Sequence, residues 1–160
     1  MLTLRIKYIL DPRVLMIILI SLVFQKIALS QIQVEKKSQD IVEIRGGQWK
    51  TVLQRDSAQG VVLYSFEFRN SAYSEIVDFK LLPLKSVEQV KEFADAFKAA
   101  EKTDPGDRVT VRDYFIVKSK AMGFTGYTLY YDNASCELSP KMVQRLTDGI
   151  DKYLKTFNHG

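Results

Sequence analysis

The chain has one cysteine, Cys136, and one histidine, His159, the penultimate of its 160 residues. A single cysteine excludes an internal disulfide framework and a cysteine-rich zinc site. A single histidine excludes histidine-based metal constellations. It also argues against a Ser–His or Cys–His nucleophile, which would need that one terminal imidazole as its base. Neither GxxxxGK[ST] nor GxGxxG occurs, so no glycine-rich phosphate cradle is present, and Gly46-Gly47 reads as a turn. Asp104, Asp107 and the Asp132-Asn133 pair lack the ligand spacing of a calcium loop. No metal and no cofactor are therefore expected.

Net charge is also scarce once the N-terminus is set apart. The chain carries 23 basic and 19 acidic residues, a formal +4. Residues 1–30 hold four of the basic residues (Arg5, Lys7, Arg13, Lys26) and one acid, Asp11, which leaves 19 against 18. A balance near +1 without a dense Lys/Arg cluster gives no basis for phosphate neutralisation, so nucleic acid is not an expected partner.

Those first residues have the three parts of a secretory signal. Arg5, Lys7 and Arg13 precede an apolar run from Val14 to Phe24, and Ala28 and Ser30 are the small residues that place a cut before Gln31. Eleven helical residues rise roughly 16 Å, about half of a bilayer's hydrocarbon core, which disfavours a stable span. The expectation is an exported protein, periplasmic or secreted, that meets a membrane only if the signal is left uncut. Residues 31–39 form a short polar lead-in, and 40–160 form one domain.

The whole chain is 46% apolar and 26% charged, the balance of a packed globular fold. Strands are expected at Ile41–Ile44 and Trp49–Gln54. Val61–Arg69 and Ser74–Leu82 flank the four residues Asn70–Tyr73. Pairing Arg69 with Ser74 sets Phe66 opposite Val77, Tyr64 opposite Phe79 and Val62 opposite Leu81. Ser86 with Gln89 has capping-box spacing, and Val87, Val90, Phe93, Ala94, Phe97 and Ala100 form a helical stripe ended by Asp104-Pro105-Gly106. Arg108–Lys118 reads as one strand, Ser119–Gly126 as a loop, and Tyr127–Tyr131 and Ala134–Leu138 as strands about an Asp132-Asn133 turn. Ser139 and Pro140 open a second helix with the stripe Val143, Leu146, Ile150, Tyr153, Leu154, Phe157. The fold class is α+β: an antiparallel sheet of six to seven strands with two amphipathic helices on one face, in the order ββββ-α-ββ(β)-α.

No catalytic set converges in this pattern, and the protein is not expected to be an enzyme. Asp113 shares an alternation face with Val109, Val111, Phe115 and Val117, which flags it as a buried acid. Glu67 or Asp78 would be its partner in a less favoured carboxylate chemistry. Cys136 reads as a small buried hydrophobe. The candidate contact surface is the 119–126 segment with its neighbours: Met122, Phe124, Tyr127, Tyr130 and Tyr131, beside Lys118 and Lys120. Alternation sends Tyr130 to the face opposite Tyr127 and Tyr131, and exposed tyrosines suit protein or carbohydrate surfaces. The expected function is a non-catalytic binding domain of the envelope or extracellular space. The alternative is a carrier holding a small apolar ligand between sheet and helices among Phe66, Phe68, Phe79, Phe93 and Phe97.

Overall fold

The computed structural model describes residues 37–46, 49–73 and 75–157. The signal, its cut before Gln31, the lead-in up to residue 36, and His159 lie outside the described residues. Strand β1 begins at Lys37 and runs to Gly46, followed by β2 (Trp49–Ala58), β3 (Val61–Arg69), β4 (Phe79–Leu84) and helix α1 (Val87–Lys102). The second half repeats that order with β5 (Arg108–Val111), β6 (Tyr114–Ala121), β7 (Phe124–Tyr131), β8 (Ala134–Leu138) and α2 (Pro140–Lys155).

The described residues form an α+β fold with two helices, and their strands form two antiparallel four-stranded sheets, A (β1-β2-β3-β4) and B (β5-β6-β7-β8), in place of one six- or seven-stranded sheet. Short turns make each run of strands pair with its sequence neighbours, and α1 intervenes between β4 and β5. Two turns account for the extra strands. Arg108–Lys118 is not continuous: Arg112, at φ 52°, opens a two-residue turn into β6. Ser119–Gly126 is not a loop but the far end of the β6–β7 hairpin, closed by Met122 (φ 50°) and Gly123 (φ 82°). Left-handed backbone at both central positions matches the twist of the flanking strands.

Register in sheet A also departs from expectation. Arg69 pairs with Phe79, Phe66 with Leu82 and Tyr64 with Leu84, five residues beyond the pairing set by a four-residue turn. An odd shift exchanges the two faces of a strand. Leu82 and Leu84 therefore point inward, while Phe79 and Leu81 are exposed. The cause is Asn70, which is 1% exposed. Its backbone N–H donates to Asp78 O at 2.7 Å and its Nδ2 donates to Asp78 Oδ2 at 3.1 Å, closing a loop over 70–78.

The inner rows Val42–Leu53–Phe66–Leu82 of sheet A and Val109–Ile116–Leu129–Cys136 of sheet B face a common core. Phe93 of α1 touches both, 4.9 Å from the Phe66 ring and 5.6 Å from Tyr114. The helix signals read from sequence hold. Ser86 Oγ accepts from Gln89 N, although the Gln89 side chain reaches back to Lys85 N rather than Ser86 N. Ser139 caps α2 with Pro140 in its first turn. Gly149 of α2 lies against Val42, so close that a Cβ there would stand 2.5 Å from Val42 Cγ2.

Candidate binding surface

The outer face of sheet B carries two side-by-side rows. One is Thr110–Phe115–Tyr130–Ser135 and the other Arg108–Val117–Thr128–Glu137. In the first row the Phe115 and Tyr130 rings stack, 4.7 Å apart and 11° from parallel. The Arg108 guanidinium lies 3.6 Å from the centre of the Phe115 ring, and its Nε donates to Thr110 Oγ1 at 2.9 Å. Cation, ring and ring thus make a continuous stack across the strands. At its Tyr130 end is an open cleft of about 360 Å³, walled by Phe115, Tyr130 and Tyr131 and rimmed by Asp113, Asp132, Asn133 and Ser135. A second open cleft, about 400 Å³, lies further along β7 and β8, with Ser119, Thr128 and Glu137 on its wall.

The expected contact residues do not form one surface. Met122 (98% exposed) and Phe124 (79%) project at the β6–β7 tip, with Lys120 exposed beside them. Tyr130 faces outward, and Tyr127 is buried on the inner face, as alternation required. Tyr131 is half-buried on that inner face and reaches the cleft wall. Burial first, and then the Asp113 and Asp132 charges, push its hydroxyl pKa up. Lys118 is taken up by the fold. Its Nζ donates to Glu101 O at 2.7 Å and Thr103 O at 2.8 Å, placing a cation on the C-terminal carbonyls of α1.

Asp113 is exposed, not buried. It occupies the second position of the β5–β6 turn, and the alternation that assigned it to the apolar face breaks at Arg112. Glu67 and Asp78 belong to the sheet A side and do not line the cleft that Asp113 rims. Cys136 is buried, and desolvation outweighs a Thr51 hydrogen bond to push its thiol up to about 12. Among the described residues no group of three or more His, Cys, Asp or Glu could hold a metal ion, and no helix is long and apolar enough to cross a membrane.

Phe115 was missed as a surface residue because the undivided strand put it inside. On the outer side of sheet A, Val77, Phe79 and Leu81 were missed because the expected register placed them in the core, whereas Val61, Leu63 and Ile76 fall on the outer face in either register. There Ile76 (63% exposed), Val77, Phe79 and Leu81 (56%) follow one another along the end of the 70–78 loop and edge strand β4, with Leu63 and Val61 exposed on β3. Phe79 stands edge-on to Trp49 at 6.1 Å, and Arg69 covers the Trp49 ring at 4.8 Å. By contrast Phe66, Phe68, Phe93 and Phe97, which a ligand carrier would use, are fully buried and packed ring against ring.

Comparison with protein-family models, with curated proteins and with solved structures finds no match for this chain.

Proposed function

We propose that this protein is a non-catalytic binding domain, exported by its N-terminal signal, that engages a partner polypeptide through the outer side of sheet A. The observation that carries this reading is the exposure of Ile76, Val77, Phe79 and Leu81, four large apolar side chains within six residues at a sheet edge. Contiguous exposed apolar surface, unlike apolar residues scattered singly, marks interaction sites. Each such side chain is about half exposed, so a partner that covers it gains about 1 kcal/mol from the area removed from water. The mutual packing of the core phenylalanines favours this reading over a ligand carrier, because the rings already occupy the space between sheets and helices.

The test is a photo-crosslinking residue at Leu81 in cells of the source organism, with the same residue at Lys141, exposed on α2, as control. A discrete polypeptide adduct is expected from position 81, lost when Ile76→Glu and Phe79→Glu are added. Absence of an adduct at 81, or the same adduct from position 141, would overturn the reading.

A further inference from the structure

The Tyr130 cleft supports an inference independent of the sheet A surface. Its rim carries two carboxylates, Asp113 and Asp132, and among the described residues no basic one lines it. Neither acid is within ion-pair distance of a cation among the described residues. The two neighbouring arginines are committed elsewhere. Arg112 makes two bonds to Glu92, Nε to Oε2 at 2.9 Å and Nη2 to Oε1 at 3.2 Å, and Arg108 lies over Phe115. The walls are aromatic, so the cleft joins negative charge to π-faces. That combination attracts a cation and repels an anion.

The protein itself demonstrates the chemistry one ring away. Phe115 holds the Arg108 guanidinium against its face, and Tyr130 continues the stack into the cleft. A planar cation entering there would extend the stack while its N–H groups met the Asp113 and Asp132 carboxylates, a fork geometry that arginine satisfies better than lysine. A main chain cannot add as a strand beside Ser135, because the 70–78 loop already occupies that edge: Ser71 N donates to Ser135 O at 2.7 Å. A polypeptide occupant would therefore enter by a side chain and not by its backbone.

We propose that this cleft binds the arginine side chain of a partner polypeptide, with Tyr130 as stacking surface and Asp113 and Asp132 as carboxylate acceptors.

The experiment is a two-dimensional NMR titration of the purified protein with blocked Gly-Arg-Gly, alongside its Gly-Lys-Gly and Gly-citrulline-Gly counterparts and glucose. Citrulline keeps the planar shape and removes the charge. The expected result is saturable shifts at the Tyr131, Asn133 and Ser135 amides with the arginine peptide, at a Kd of about 1–10 mM for a single side chain. Binding of the lysine peptide should be weaker. The arginine affinity should fall about fivefold or more in Asp113→Asn plus Asp132→Asn, and by a similar factor in Tyr130→Ala. The Asn substitutions are isosteric, and position 132 lies at φ 47°, where Asn is readily accommodated, so these variants retain the fold. Shifts of equal size with citrulline, stronger binding of glucose, or no shift at those amides would overturn the proposal.

Discussion

The side chain of Asn70 accepts the backbone N–H of Ser135 through its Oδ1 at 3.1 Å, joining residues 65 apart in sequence. The same oxygen accepts from Ala72 N at 3.1 Å, while Nδ2 and the backbone N–H hold Asp78. One buried amide therefore closes the 70–78 loop, sets the β3–β4 register and ties the end of sheet A to the edge of sheet B. The apolar strip at Ile76–Leu81 faces outward because of it.

Replacing Asn70 by alanine should cost about 3 kcal/mol, since it leaves several polar groups without a partner in a place water reaches poorly. Asn70→Asp separates the two functions of the amide. It keeps the acceptor for Ser135 N but sets a carboxylate against that of Asp78, 3.1 Å away across the present bond. Two like charges so close raise the pKa of one of them. A carboxyl whose folded pKa is raised contributes its full stability below the unfolded value near 4 and loses it as pH rises. The variant should therefore be unstable at pH 7 and recover toward the wild type as pH falls to about 4. Urea melts of both variants at the two pH values check this; an Asn70→Asp protein as stable as wild type at pH 7 would show that the hub does not carry the loop.

Gly149 is the second close approach on which the fold depends. A methyl group there would meet Val42 Cγ2 at 2.5 Å and Cγ1 at 3.0 Å, and a β-branched side chain has restricted χ1 freedom with which to move aside. Gly149→Ala gains up to about 1 kcal/mol of helix propensity but meets overpacking of about 1–3 kcal/mol, and net destabilisation is expected. Combining it with Val42→Ala fills the space that the second change opens. The double variant should be more stable than the sum of the singles by about 1 kcal/mol or more, read from a thermal double-mutant cycle. Additive effects would mean that α2 shifts away from β1 instead.

Legibility in the sequence followed how local each determinant is. Both helices could be read from their caps and stripes, because Ser86, Ser139 and Pro140 act within one turn of themselves. The Asp132-Asn133 turn and the opposed faces of Tyr127 and Tyr130 were equally visible. Two hairpins were not, because Arg112 and Met122 are residues that rarely adopt left-handed backbone, so their turns carry no composition signal. The Met122–Gly123 pair substitutes a bulky apolar residue where asparagine is preferred. The β3–β4 register was hidden for a different reason: apolar alternation fits two pairings, and the choice rests on Asn70 hydrogen bonds to residues 78 and 135, which no local pattern encodes. The Arg112 turn and the β3–β4 register each moved aromatic or aliphatic side chains between core and surface. The candidate surfaces were consequently harder to read than the fold.

Lys118 is predicted to act on stability without contributing to binding. Its ammonium sits on the carbonyls of Glu101 and Thr103, at the negative end of the α1 dipole. Lys118→Met preserves the aliphatic stem and removes the charge, and should lower stability by about 1 kcal/mol. Binding of the arginine peptide and crosslinking from position 81 should be unchanged. Loss of either, with the melting temperature unaltered, would return Lys118 to the contact surface.

The core should weaken in alkali through two buried groups. Desolvation raises the Cys136 thiol to about 12, and it raises the Tyr114 phenol above its ordinary value, with the Glu92 and Asp113 charges adding to the effect. Both groups are acids held in their neutral form, so the unfolded chain releases its protons first. Their contribution is complete below the unfolded values, near 8.5 for a thiol and 10 for a phenol, and drains away as pH rises through the folded ones. Stability should therefore fall from about pH 9 upward, and less steeply in Cys136→Ala. The same protonation predicts that Cys136 reacts with iodoacetamide at pH 8 at least ~100-fold more slowly in the native protein than in urea. Tyr114 adds a sharper distinction. Its hydroxyl is buried with no hydrogen-bond partner among the described residues, so Tyr114→Phe removes an unmet polar group while keeping the ring that packs on Phe93. That variant should be as stable as wild type or more so at pH 7, and its advantage should widen above pH 10. A clear loss of stability at neutral pH would mean that the hydroxyl is satisfied in solution.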